Sequence, residues 1–273
     1  MVGRRGEAAY HFGVSTLAER WLRSVPGLKE AQLRASLLAN DLAVHPIEDA
    51  AETLEEICLL AEQADPRARE ALGAALPTIT DPTRDEWVAA LRAVAHERGL
   101  FALSRLLRRR TGLRDGAHDV PDPDHHHPGD ARVGRALTLG ERKSLARARN
   151  RDVLDRMLRD PHPAVIRNIL GNPRITEDDV VRLAARRPTY PDVQAEIARS
   201  PKWTTRPRVR LALVQNPFTP PAISVPLLPM LVRPELDQVL AATDIPPIVR
   251  SAAVDLLDRR PPIPLREGPE TKQ

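Results

Sequence analysis

Basic side chains in the C-terminal half of the chain form the strongest candidate for a binding surface. Two of them end one predicted helix, and the next turn and helix supply the others. The set is Arg182, Arg186, Arg187, Lys202, Trp203, Arg206, Arg208 and Arg210. Guanidinium and ammonium groups bind phosphates and carboxylates, and an aromatic ring between them adds a stacking surface. The alternative interpretation is a series of solvated helix ends around one core tryptophan.

A histidine cluster offers a second kind of chemistry. His125, His126 and His127 lie with His118 among four aspartates in residues 118–130. Neutral imidazoles and carboxylates are common metal ligands. The same segment is rich in proline, however, and a metal site needs ligands held in fixed geometry. We therefore interpret the segment as a linker and predict no metal site.

An acidic run lies on a predicted helix in the N-terminal half. Its members are Glu48, Asp49, Glu52, Glu55, Glu56 and Glu62. A di-metal carboxylate bundle would add Glu-x-x-His pairs on facing helices. No histidine in the chain has a glutamate three residues before it. The run is therefore predicted to be a solvated helix face.

Catalytic motifs are absent from the sequence. It contains no Walker A loop, no GxSxG elbow and no HExxH pair. Cys58 lies in an apolar helical stripe with acidic neighbours that would not stabilise a thiolate, which favours a core role. We predict a protein that is not an enzyme and uses no cofactor. An active site built from residues distant in sequence is a weaker alternative.

Composition narrows the class further. One cysteine in 273 residues excludes a disulfide framework and fits a reducing compartment. Aromatic residues make up 3% of the chain, which disfavours stacking platforms for single-stranded nucleic acid. The longest apolar stretch, residues 222–232, is shorter than the roughly 20 residues of a membrane-spanning helix. No secretory signal is recognisable at the N-terminus, so we expect a cytoplasmic protein that does not bind membranes.

The elements that position these side chains are predicted to be helices throughout. Apolar residues recur at helical spacing in residues 1–110, and no alternating strand pattern interrupts them. Asp65 before Pro66 and Asp81 before Pro82 mark two predicted helix starts. Thr83 and Glu86 have the spacing of a capping box at another. The N-terminal half is therefore predicted to be a helical domain.

Turn residues and charge mark a domain boundary after residue 110. Residues 111–135 are rich in glycine, proline and aspartate, as in linkers. Residues 1–130 hold 16 Lys/Arg and 21 Asp/Glu, whereas residues 131–273 hold 25 and 16, for net charges of −5 and +9. We predict an acidic domain over 1–110, a linker over 111–135, a basic domain over 136–260 and a disordered tail over 261–273.

An internal repeat organises the basic half. One pattern occurs four times: a valine, a small polar residue seven positions later, and then a proline. The occurrences begin at Val153, Val165, Val193 and Val209. They alternate between two helix types, and a third helix follows over 176–187, where Thr176 and Asp179 have the spacing of a capping box, and again over 219–232. Three short helices in 40 to 46 residues cannot bury their apolar faces alone, so stacked repeats are predicted.

The repeat unit resembles a known class of helical repeats. Two segments look like the D…VR core of HEAT-like and leucine-rich-repeat-variant α-solenoids. They run from Asp160 through Val165 to Arg167 and from Asp244 through Val249 to Arg250. Residues 137–189 also resemble an uncharacterised bacterial family of such repeats. The resemblance covers roughly 137–260 and implies an α-solenoid of about three repeats. It also implies structural roles for these Asp and Arg side chains.

Two functional hypotheses follow from the sequence. The first is a non-catalytic scaffold whose helical repeats bind a protein partner. The second is a nucleic-acid-binding protein that uses the basic set on the C-terminal repeats. The net charge of the basic half favours the second, and the scarcity of exposed aromatic rings favours the first.

Overall fold

The computed structural model describes residues 15–108 and 137–260. These residues fold entirely into helices and turns, which confirms the all-α prediction. The N-terminal part has six α-helices: α1 (Thr16–Ser24), α2 (Ala31–Val44), α3 (Ile47–Glu62), α4 (Pro66–Ile79), α5 (Asp85–Glu97) and α6 (Phe101–Leu106). Helix α3 is central and packs against α1, α4, α5 and α6.

The C-terminal part contains ten further α-helices. They are α7 (Leu139–Leu145), α8 (Arg151–Met157), α9 (Pro163–Leu170), α10 (Glu177–Ala185), α11 (Pro191–Ala198), α12 (Pro201–Thr204), α13 (Pro207–Val214), α14 (Pro221–Leu227), α15 (Arg233–Ala241) and α16 (Pro247–Arg259). Every helix predicted from the valine pattern is present. None of the helices in the described ranges has the length and apolar character needed to cross a membrane.

One capping-box prediction in the N-terminal part is wrong. Thr83 and Glu86 do not form a capping box; the Asp81 carboxylate instead accepts hydrogen bonds from the Thr83 backbone amide, at 2.9 Å, and hydroxyl. A 3₁₀-helix follows over Pro82–Arg84, and α5 begins only at Asp85. Proline directly after an aspartate favours this earlier start, because the proline ring suits a first helical position.

The acidic run is not simply a solvated face. Glu55 accepts hydrogen bonds from the backbone amides of Ala102 and Leu103, at 3.1 and 2.6 Å, and so caps the N-terminus of α6. The carboxylate of Glu62 is buried, with a side chain 8% exposed, and is paired with Arg105 at 2.6 Å. A negative group at a helix N-terminus is stabilising there, which gives this part of the run a packing role.

Two asparagines of the repeat make the same set of hydrogen bonds. The Asn172 amide donates to the carbonyl oxygens of Ala146 and Ala148, at 3.0 and 2.9 Å. The Asn216 amide donates to those of Ala184 and Arg186, at 2.6 and 2.9 Å. The side-chain oxygen of each also accepts from the amide two residues later. Each asparagine therefore fastens an earlier helix end to the start of the next turn.

The D…VR residues also bond within the chain. Asp160 is buried and accepts two hydrogen bonds from Arg142, at 2.8 and 3.0 Å. Arg167 binds Glu196 through two donors, at 2.8 and 2.7 Å. Arg250 donates to carbonyl oxygens at the end of α15, including that of Leu240 at 2.6 Å.

Proline interrupts the helix predicted over residues 219–232. Pro226 lies inside α14, which ends at Leu227 and continues as a 3₁₀-helix over Leu228–Met230. A proline in a helix interior removes a backbone donor and clashes with the preceding turn. The helix predicted over residues 219–232 therefore exists as two shorter segments.

The N-terminal and C-terminal parts share one hydrophobic core. Glu62 of α3 binds Arg259 of α16 at 3.2 Å, and its backbone carbonyl accepts from Arg260 at the same distance. Arg199 donates to the carbonyl of Thr80 at 3.2 Å. The predicted linker 111–135 and tail 261–273 lie outside the described residues.

Candidate functional site

A surface groove between α8 and α10 brings together four arginines. Its volume is about 580 Å³. The charged side chains that line it are Arg151, Asp155, Arg159, Asp179, Arg182 and Arg186. The groove therefore carries two more positive than negative groups.

Local sequence explains how α8 presents its part of the groove. The Asn150 side chain caps the helix by accepting from the Val153 amide at 3.3 Å. Leu154 and Met157 turn inward and are buried. Residues 151 and 155 are four apart on α8, so their side chains lie on one outer face of the helix, and Arg159 follows just after its end.

Helix α10 supplies the carboxylate on which the groove is built. Asp179 is the third helical residue of a capping box with Thr176, as the sequence predicted. It is 1% exposed and accepts hydrogen bonds from Arg151 at 2.7 and 2.5 Å and from Arg182 at 2.5 Å. The hydrogen bonds from Arg151 are the largest of the effects that hold the Asp179 pKa well below its ordinary value. Both guanidinium groups are thus held by one buried carboxylate.

The other two arginines of the groove remain available to a ligand. Arg159 and Arg186 are exposed, and their guanidinium groups have no hydrogen-bond or ion-pair partner among the described residues. Leu158 and Leu183 lie between the charged groups and form an apolar floor. Two fixed and two free guanidinium groups around an apolar floor can bind carboxylates or phosphates attached to an apolar body.

The rest of the predicted basic set is distributed differently. Arg208 pairs with Asp178 at 2.6 Å, and Arg206 lies 3.9 Å from Glu177. Arg187 donates to the carbonyl of Gln215 at 2.6 Å and lies 3.3 Å from Asp244. These three guanidinium groups therefore face carboxylates of their own chain.

Trp203 and Arg210 also lie apart from the groove. Trp203 is 3% exposed and donates from Nε1 to the carbonyl of Leu170 at 2.9 Å, so its ring belongs to the core. The Nζ atom of Lys202 lies 4.3 Å from the centre of that ring, a cation–π contact. Arg210 lines a separate cavity. Of the predicted set, Arg182 and Arg186 alone line the groove.

Sequence reasoning missed Arg151 and Arg159. Their spacing of four residues on either side of Asp155 was the available signal. The missing information was that the start of α8 lies within side-chain reach of α10, as the 2.5 Å ion pair from Arg151 to Asp179 shows.

Metal-binding clusters are not found in the described ranges. No group of three or more His, Cys, Asp or Glu side chains there could hold a metal ion. The cluster of His118 and residues 125–127 lies outside these ranges.

Comparison with known proteins gives no assignment. No family model matches the sequence, and neither a curated protein nor a solved structure is significantly similar to it. The resemblance of residues 137–260 to HEAT-like repeats therefore rests on the sequence pattern.

Proposed function

We propose that the protein is a non-catalytic helical-repeat scaffold that binds an acidic, partly apolar segment of a partner protein in the groove between α8 and α10. One observation carries this proposal. Arg159 and Arg186 present guanidinium groups that lack partners in the described chain, beside two others that Asp179 holds in place. Pre-oriented donors lose little conformational entropy when a ligand binds.

The apolar floor favours a protein ligand over nucleic acid. Leu158 and Leu183 lie among the arginines and can cover aliphatic side chains of a peptide. A nucleic-acid surface relies instead on many cations along the phosphate backbone. In this chain Arg187, Arg206 and Arg208 lie next to carboxylates, so part of the positive charge over residues 137–260 is offset locally.

The scaffold part of the proposal rests on the repeat. The matching bonds of Asn172 and Asn216 support equivalent units 44 residues apart. Repeats that contact their neighbours generate extended surfaces, which is how α-solenoids bind partners. We propose that residues 137–260 form such an array and that the groove belongs to its first unit.

The test is fluorescence anisotropy with the full-length protein and two labelled probes. One is a peptide composed of glutamate and leucine, and the other is a DNA duplex of about the same charge. We expect the peptide to bind more tightly than the duplex. A peptide with glutamine in place of glutamate should lose most of its affinity, because the free guanidinium groups then lack anionic partners.

Charge-reversal variants identify the binding surface. The double variant Arg159→Glu and Arg186→Glu should weaken peptide binding by at least about tenfold, equivalent to about 1.4 kcal/mol. The matched control is Arg23→Glu with Arg174→Glu, two exposed arginines outside the groove that undergo the same change of charge. Equal loss in both variants would show a general charge effect. Tighter binding of the duplex would favour the nucleic-acid hypothesis.

A further inference from the structure

A second concave site lies between the N-terminal and C-terminal parts of the chain. It is a cavity of about 500 Å³, within the usual range for small-molecule sites. Helices α2 and α4 form one wall, and α12, α13 and the segment from Met230 to Glu235 form the other. It shares no lining residue with the groove.

Positive charge predominates in the cavity wall. The ionisable lining residues are Arg34, Arg69, Glu70, Arg210 and Glu235. Arg34 lies 3.4 Å from the Glu70 carboxylate and donates to the Leu28 carbonyl at 2.5 Å. The carboxylate of Glu235 accepts from the Val232 amide at 2.8 Å.

Two guanidinium groups in the cavity have unused donors. The Nε atoms of Arg69 and Arg210 are buried and have no hydrogen-bond partner among the described residues. Arg210 uses one terminal nitrogen, which donates to the Thr204 carbonyl at 2.9 Å. No hydrogen bond of the Arg69 side chain is formed within the described chain. Burial lowers the pKa of both side chains, Glu235 acts in the opposite direction, and Arg69 further lowers that of Arg210.

More positive charge lies behind the cavity wall. Arg260 is 5% exposed and donates to the carbonyl oxygens of Pro229, Leu231 and Glu62, at 2.7, 2.5 and 3.2 Å. Burial, followed by repulsion from Arg69 and Arg233, lowers its pKa to about 10. An excess of buried positive charge is unfavourable unless a negative group compensates it.

We propose that this cavity binds a phosphate monoester, with the phosphate on Arg69 and Arg210 and the organic body against the apolar wall. The unused donors of these two guanidinium groups can bind the oxygens of a phosphate monoester, which carries a charge of about −1.5 to −2 at pH 7. The apolar wall includes Ala74, Pro207 and Met230. Gly73 lets Met230 approach α4 closely, because a Cβ atom at position 73 would lie only 3.2 Å from the Met230 sulfur.

The test is isothermal titration of the full-length protein with three probes: butyl phosphate, inorganic phosphate and butanol. We expect saturable binding of butyl phosphate, weaker binding of inorganic phosphate, and none of butanol. The proposal would be overturned if butyl phosphate did not bind at concentrations up to about 10 mM. A Kd above that value corresponds to a binding free energy of only a few kcal/mol. Equal affinity for inorganic phosphate would overturn the role of the apolar wall.

Variants separate a ligand site from a structural cluster. Arg69→Met should reduce butyl phosphate affinity by at least about tenfold. Without ligand it should leave the Tm unchanged or raise it, because it removes a partly buried cation whose Nε atom has no hydrogen-bond partner among the described residues. The control is Arg67→Met on the same helix, an exposed arginine outside the cavity, which should retain binding.

The stability measurement also guards against a misfolded variant. A Tm of Arg69→Met well below that of the wild type would identify a structural role and contradict the proposal, as would unchanged butyl phosphate affinity. The groove variant Arg159→Glu with Arg186→Glu should bind butyl phosphate normally. This result keeps the cavity proposal independent of the proposed peptide groove.

Discussion

Glu62 is a buried charged group that couples the two parts of the chain. Its buried carboxylate accepts from Arg105 of α6 at 3.0 and 2.6 Å and from Arg259 of α16 at 3.2 and 3.4 Å. The substitution Glu62→Gln preserves the size of the side chain and removes its charge. Both arginines then lose their anionic partner while remaining partly buried.

The expected loss of stability follows from burial. Removing one partner of a fully buried ion pair costs about 3 to 5 kcal/mol. Here the side chains of Arg105 and Arg259 are 25% and 36% exposed, so water screens part of the uncompensated charge. We therefore expect the free energy of unfolding to fall by about 2 kcal/mol, between the buried and the exposed limits.

Urea denaturation measures this effect, and an exposed pair provides the control. Glu52 pairs with Arg98, and both side chains are about half exposed, at 52% and 43%. Glu52→Gln should therefore cost less than about 1 kcal/mol. If the two variants lost the same stability, or Glu62→Gln lost none, the reasoning that α16 is fastened to α3 through a buried carboxylate would be refuted.

Three further predictions concern the C-terminal part and the cysteine. Asp179 has a depressed pKa in the folded state, so its contribution to stability is complete above the ordinary Asp range and is lost as the pH falls below about 4. The variant Asp179→Asn should therefore have a lower free energy of unfolding at pH 7 and a flatter acid limb in a stability–pH profile. An unchanged acid limb would contradict this. Asn172→Ala and Asn216→Ala should each lower the free energy of unfolding in urea by about 2 kcal/mol, because each leaves two carbonyl groups without their amide donor. A large effect at one site alone would count against equivalent repeats. Cys58 is buried, and burial is the chief cause of its raised pKa. Iodoacetamide should therefore label Cys58 at a rate that follows unfolding in urea. Rapid labelling of the native protein would contradict this packing.

Local sequence predicted the helices because their signals are local. The apolar residues that follow Val153 and Val165 have helical spacing, and the prolines between the two valines mark where one short helix ends and the next begins. The capping box of Thr176 with Asp179 was correctly predicted for the same reason. Thr83 was assigned wrongly because two helix starts compete there, and Asp81 with the following proline prevails.

The candidate sites could not be predicted in the same way, because they depend on contacts between distant residues. The pair of Glu62 and Arg259 spans 197 positions, and the cavity places Arg69 of α4 opposite Arg210 of α13. Periodicity gives the face of each helix but not its neighbour. Without the packing of α3 and α4 against the C-terminal part, Arg69 resembles any other charged residue on a helix surface.

The contacts of the arginines show that net charge does not by itself locate a binding surface in the described residues. Many arginines of the C-terminal half bind their own backbone: Arg250 donates to the carbonyl of Leu240 at 2.6 Å, and Arg260 to that of Pro229 at 2.7 Å. Such cations satisfy the unpaired carbonyl groups of short helices and proline-rich turns, which are frequent in this chain. The net charge counts these structural arginines equally with those that remain available. A function should therefore be sought where guanidinium donors are unused, at Arg159 and Arg186 in the groove and at Arg69 in the cavity.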